Sequence, residues 1–176
     1  MRTAHLARRF FGSLRPGPPR AADVAWVRDV LPPGAFALWN RMPNPDRRHS
    51  VAVARRVERA LAGTPYAGDG RWLAAALLHD VGKVDSGLRT YGRVVATLAA
   101  SAAGRETAEA WTTRGGFTRR VGLYVQHPRL GADMIRVAGG PEEAARWAAA
   151  HHDPSAWDAT GIPREVVDAL HAADDD

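Results

Sequence analysis

Apolar residues recur at three- and four-residue spacing along most of this chain of 176 residues, a period that predicts helices. Residues 21–31 put Val24, Val27, Val30 and Leu31 on one side, and Pro32-Pro33-Gly34 separates them from a shorter helix running through Met42. Asn44 then caps a longer helix, with Pro45 at its first position and Asp46 in its first turn. The inward stripe of that helix is His49, Val53, Val57, Ala60 and Leu61, so His49 is either a hydrogen-bonded core residue or a ligand. Gly63-Thr64-Pro65 ends it. Residues 70–81 form the most apolar helix of the chain, expected to run through the core with His79 and Asp80 at its C-terminal end. Residues 84–92 read as a loop. Helical patterns resume at 93–103 and 105–114, and Gly115-Gly116 breaks them. Residues 117–126 form a short element, a helix by its surroundings although a strand is possible. His127-Pro128 opens the next helix, with His127 at its N-cap and Leu130, Met134 and Ile135 buried behind it. Residues 141–151 are strongly helical and end in His151-His152. A loop carries Trp157, and Pro163 starts the last helix, which closes on Asp174-Asp175-Asp176. Three acids at a helix C-terminus oppose the helix dipole, so they are a frayed tail or at least one has a positive partner.

The first 20 residues stand apart. Residues 3–14 can form an amphipathic helix with Leu6, Phe10, Phe11 and Leu14 on one face and Arg8, Arg9 and Arg15 largely elsewhere. Such a helix docks on its own domain, or touches a membrane or a partner through residues 1–15. Pro16-Gly17-Pro18-Pro19 then forms a stiff linker. Residues 21–176 make one domain. The net charge of +5 belongs to residues 1–20, which carry Arg2, Arg8, Arg9, Arg15 and Arg20 and no acid. The remainder is formally neutral, which argues against a nucleic-acid-binding fold. No apolar run is long enough to span a membrane and no secretory segment is visible, so a soluble cytoplasmic protein is expected.

With no cysteine, any metal must be held by histidine and carboxylate. His79 and Asp80 are adjacent residues that can both ligate a divalent ion. Three residues after Asp80 comes Lys83, the only lysine among 24 basic residues, at a place where a compact ammonium is not replaced by a guanidinium fork. Of seven histidines, five (His49, His79, His127, His151 and His152) sit where helices start or end, or on inward stripes. Each buried imidazole needs a partner, and five of them with Asp80 and a terminal aspartate are explained most simply by shared metal.

His49, His79-Asp80 and Asp174 in the setting Leu170-His171-Ala172-Ala173-Asp174 resemble the H…HD…D signature of the HD-domain metal-dependent phosphohydrolases. Residues 73–83 read almost as that family's consensus around its His-Asp pair. His127-Pro128 with Gly131, and the pair His151-His152, resemble further elements of its two-metal branch, which includes the HD-GYP cyclic-dinucleotide phosphodiesterases and the dinucleoside-tetraphosphate hydrolases. The resemblance covers residues 45–176. It implies an all-α helical bundle with a central site. His49, His79, Asp80 and Asp174 would form a first metal site, with Asp80 able to bridge, and His127, His151 and His152 would complete a second. Asp175 or Asp168 could stand in for Asp174, with His171 a minor candidate. The implied cofactor is a divalent transition metal, mono- or dinuclear, iron or manganese first, with zinc, nickel and cobalt also compatible. The implied activity is hydrolysis of a small phosphorylated substrate, a nucleotide by preference, with Lys83 and Asp80 in catalytic roles and Arg47, Arg48, Arg89 and Arg93 as further candidates for phosphate. The alternative is a non-catalytic HD domain that binds metal or nucleotide and regulates. Two departures narrow the substrate. No GYP run follows His151-His152, and Val81-Gly82-Lys83-Val84 replaces the acidic continuation of the alarmone hydrolases.

Overall fold

The computed structural model describes residues 17–88 and 90–175, apart from the side chains of residues 90, 91, 93, 105, 106 and 109. The N-terminal amphipathic segment and His5 lie outside the described residues. The fold is all-α, and no strand occurs among the described residues. Chain order gives α1 (Ala21–Val30), α2 (Pro33–Asn40), α3 (Asn44–Ala60), α4 (Gly70–Leu78), α5 (Lys83–Ser86), α6 (Thr90–Ala103), α7 (Arg105–Ala110), α8 (Gly116–Val125), α9 (His127–Val137), α10 (Glu142–Ala150) and α11 (Arg164–Asp175). Residues 117–126, where a strand was possible, therefore belong to a helix.

At the centre lies α4. Every residue from Trp72 through Asp80 is buried, as a helix apolar on all sides requires. Helices α3 and α10 pack directly on it, α11 packs on α3, and α9 packs on α10. Asp69 caps α4 by accepting from the Arg71 backbone N–H at 3.0 Å. Trp39 of α2 donates its indole N–H to Ser50 Oγ of α3 at 2.9 Å, and Ser50 Oγ donates to the Arg47 carbonyl at 3.0 Å. That buried pair joins α2 to α3 just beside His49.

A second, smaller hydrophobic cluster forms around α8. Helices α5, α6 and α7 each pack on α8, and Leu88, Ala96 and Val121 form its core with Trp111 and Tyr124 against them. The stretch expected as a loop after Lys83 contains α5, a single turn closed by Gly87 in the left-handed region at φ 58°. The long N-terminal cap of α3 is Pro43 and not Asn44, whose side chain accepts from the Arg47 guanidinium instead. No helix among the described residues is long and apolar enough to cross a membrane.

Candidate metal centre

Helix α4 ends at Leu78, and the chain turns through residues 79–82 before α5. This turn passes close to the start of α9. A Cβ on Gly82 would fall on the His127 carbonyl oxygen and 2.6 Å from the Gly131 amide nitrogen, and a Cβ on Gly131 would lie 3.0 Å from the Gly82 nitrogen. Glycine at both positions lets two backbones touch, and that contact carries Asp80 to the histidine that opens α9.

Three of the histidines are held in the same way. His79, His127 and His151 each follow a helix end, where the last carbonyls have no partner within the helix. Each ring turns back on such a carbonyl: His79 Nδ1 to Ala76 O at 2.8 Å, His127 Nδ1 to Tyr124 O at 2.6 Å, and His151 Nδ1 to Ala148 O at 2.9 Å. A carbonyl oxygen only accepts, so Nδ1 carries the proton and Nε2 faces inward. The Nε2 atoms converge on one carboxylate. His79 Nε2 lies 3.5 Å from Asp80 Oδ2, while His127 and His151 Nε2 lie 3.5 and 3.6 Å from Asp80 Oδ1. These gaps are too long for good hydrogen bonds. All three Nε2 atoms and Asp80 Oδ1 are buried with no hydrogen-bond partner. Buried polar atoms in that number are costly unless something further satisfies them.

Two ligand groups result. Asp80, His127, His151 and His152 offer donor atoms within 4.8 Å of one another, and so do His49, His79 and Asp174. Asp80 joins the groups, because its Oδ2 faces His79. In the second group Asp174 Oδ1 lies 2.9 Å from His49 Nε2 and 3.6 Å from His79 Nε2. Asp174 is thus the terminal acid that faces the histidine cluster. Asp175 pairs with His171 at 3.6 Å and Asp168 with Arg164 at 2.8 Å, both away from the cluster. His171 itself packs on Trp157 at 4.8 Å. His152 stands at the rim, open to solvent on one side, with its ring 3.9 Å from His151.

The electrostatics suit a cation. Burial alone would lower His79, but Asp80 and Asp174 outweigh it and raise the imidazole to about 10. Without a metal, a proton occupies the place where the two carboxylates favour positive charge. Burial would raise Asp80, yet Lys83 and then His79 hold it well below the usual carboxylate range. Lys83 Nζ donates directly to Asp80 Oδ2. On the other side, burial pushes His127 down to about 4, and burial with the neighbouring His151 pushes His152 to about 2, so both present neutral imidazoles. Neutral imidazoles with fixed tautomers beside ionised carboxylates are the donor set a divalent transition metal takes, and the residues fit such a group.

All the proposed ligand positions (His49, His79, Asp80, His127, His151, His152 and Asp174) are therefore brought to one place, with Lys83 beside them. Of the arginines, Arg47 bonds to Asn40 at 3.2 Å and to Asn44, and lies over Trp39, while Arg48 donates to the Gly17 carbonyl. Arg89 and the Arg93 side chain lie outside the described residues. Two features escaped sequence reasoning. The carbonyl anchors could have been found from the position of each histidine just past a helix end. Tyr124, stacked on His127 at 5.6 Å, and the α6 residues near it carry no such signal.

Comparison with known protein families matches the HD domain over residues 47–174. No curated protein and no solved structure matches the chain.

Proposed function

The chain belongs to the HD-domain family, whose members are in general metal-dependent phosphohydrolases, and from that premise we propose that it hydrolyses a phosphoester of a nucleotide or related small molecule. The observation that carries the reading is the set of buried, unpartnered donors around Asp80: three histidine Nε2 atoms with their other nitrogens fixed, and one carboxylate oxygen.

His49, His79 and Asp174 would hold one divalent ion, and His127, His151 and His152 a second, with Asp80 serving both. Iron or manganese suits these nitrogen and oxygen donors at least as well as zinc, nickel or cobalt. When bound, such ions supply Lewis acidity and a water acidic enough to attack phosphorus near neutral pH. The chain's own residues do the rest. The Ala76, Tyr124 and Ala148 carbonyls keep each imidazole in one tautomer, so the ligand set is organised before substrate arrives. Burial of His79, Asp80 and His127 keeps bulk water off the ligand cluster. Lys83, itself buried, brings an ammonium to the cluster, where it can balance phosphoryl charge. A purely regulatory domain has less need of that ammonium, which favours the catalytic reading.

The test is a turnover assay on purified, metal-loaded protein against a panel of phosphomonoesters and phosphodiesters. Chelated protein and an Asp80→Ala variant serve as controls. Metal-dependent turnover that Asp80→Ala abolishes supports the proposal. Bound metal with no turnover on any ester would transfer the case to a regulatory HD domain.

A further inference from the structure

Helix α5 is a single turn, Lys83–Ser86, too short to persist on its own. Its buried charge is Lys83, whose ammonium meets Asp80. Ser86, buried at the other end of the turn, ties it together from within. Its Oγ donates to the Lys83 carbonyl at 2.7 Å and accepts from the Leu88 backbone N–H at 3.2 Å. The last carbonyls of a helix have no partner inside it. Here the Ser86 and Gly87 carbonyls accept from one side chain. Arg120 of α8 donates its Nε–H to the Ser86 carbonyl at 3.0 Å and an Nη2–H to the Gly87 carbonyl. A Cβ on Gly87 would lie 3.3 Å from Arg120 Nη2, so glycine leaves room for the guanidinium as well as permitting the left-handed backbone. Arg120 is itself exposed, so what it supplies is this grip on the turn and not burial.

We infer that Arg120 is a positioning residue for Lys83: by clamping the end of the α5 turn it fixes the ammonium against Asp80. The inference rests on the catalytic role given to Lys83 and deepens it. Lys83 is tied on one side to the turn after α4, through its backbone N–H to the Asp80 carbonyl at 3.0 Å. On the other side its carbonyl is tied through Ser86 to the carbonyl pair that Arg120 holds. A lysine side chain loses much rotamer freedom when it is fixed, so its ammonium stays in one place only where its backbone does. The planar guanidinium offers two donors in a rigid fork, and two successive carbonyls at the end of a turn can take both. Arg41 also meets this turn, at Asp85 across 3.7 Å, but that pair is exposed and leaves the carbonyls untouched.

The experiment uses the fact that Lys83 is the only lysine of the chain. Labelling lysine with heavy nitrogen gives one backbone amide signal and one side-chain ammonium signal, both from Lys83. Spectra are recorded on the full, zinc-loaded chain and on Arg120→Ala, Arg120→Gln and, as a control for charge, Arg119→Ala. Metal content and melting are measured on each. The parent should show a protected ammonium signal. Arg120→Ala should lose it to exchange with water and shift the amide, Arg120→Gln should change both in the same direction, and Arg119→Ala should match the parent. On the best substrate of the phosphoester panel, Arg120→Ala should lower kcat about tenfold with KM little changed, as misplacing a group that acts in the transition state does. In a Lys83→Met background it should lower kcat no further. The assignment is overturned if the parent shows no protected ammonium, if Arg120→Ala keeps the parental signals, or if Arg119→Ala changes them as much. It is also overturned if the losses from Arg120→Ala and Lys83→Met multiply, or if both Arg120 variants fail to fold, which would make the residue structural only. If the Lys83 signals change as expected while none of the proteins hydrolyses any ester, the positioning role stands and the phosphohydrolase reading falls.

Discussion

Replacing Gly82 by alanine should separate the two ligand groups without dismantling the fold. The new Cβ would meet backbone on the α9 side: the His127 carbonyl oxygen, and the Gly131 nitrogen at 2.6 Å. Neither is the end of a flexible side chain, so the helices themselves must part. Reaching an ordinary contact of 3.4 Å from the Gly131 nitrogen alone requires an opening of about 0.8 Å. Overpacking of this kind costs about 1–3 kcal/mol. The same displacement acts on the 3.5 Å separation between His127 Nε2 and Asp80 Oδ1, because His127 begins the helix that moves. Metal–ligand distances tolerate only about 0.2 Å. His49 and Asp174 come from α3 and α11, and His79 is the C-cap of α4, so this group lies on the α4 side of that crossing. Gly82→Ala should therefore lose the metal of the His127 group, keep the metal of the His49 group, and unfold at lower urea concentration. Elemental analysis after dialysis reads the first effect and a urea titration the second. A Gly82→Ala protein with parental stability and full metal content would refute the argument that this backbone contact builds the site.

The remaining predictions concern single side chains. Lys83→Met should retain metal but lose turnover by about 10²-fold, the usual scale for removing one charge-stabilising donor, and Lys83→Arg should not restore it; parental kcat in either variant would remove Lys83 from the mechanism. Ser50→Ala strands the buried Trp39 indole N–H and should cost about 1–3 kcal/mol in denaturant unfolding. Asp69→Ala removes the cap of α4 and should cost about 1 kcal/mol at neutral pH. Hydrogen bonding from Arg71 lowers the Asp69 carboxyl below its ordinary value of 3.8 in the folded protein. Its stabilisation is therefore present above that value and lost as pH falls through the lowered one, so the gap between parent and variant should close in acid. A gap that persists undiminished at low pH would show that the carboxylate is not the stabilising species.

Much of the site was legible because metal chemistry restricts the choice of residue. His79 and His151 fall at the C-terminal ends of alanine-rich helical patterns and His127 at the start of another, placements visible as a change of pattern in the sequence. Their separation along the chain says nothing of distance in space, but the apolar stripes of α3, α4, α9 and α10 force those helices into one core, and the helix ends meet there. What stayed hidden depended on backbone contact. The helix α4 ends at Leu78 and not at 81, because the chain must turn to bring Gly82 against the start of α9. The α5 turn is too short to show a period, and Gly87 in the left-handed region closes it. Asn44 looked like a cap by residue type, but Arg47 engages its carboxamide, a partner that local pattern does not rank above the backbone.

The most direct test is the metal content of the parent protein and of Asp80→Asn, each purified without chelator, reconstituted with iron(II) or manganese(II) and freed of excess ion. Asp80 faces both ligand groups. The parent should hold stoichiometric transition metal, and Asp80→Asn should lose most of it while remaining folded by circular dichroism. A parent chain that holds only traces of metal, or an Asp80→Asn variant that binds as much as the parent, would contradict the claim that these residues form a metal centre.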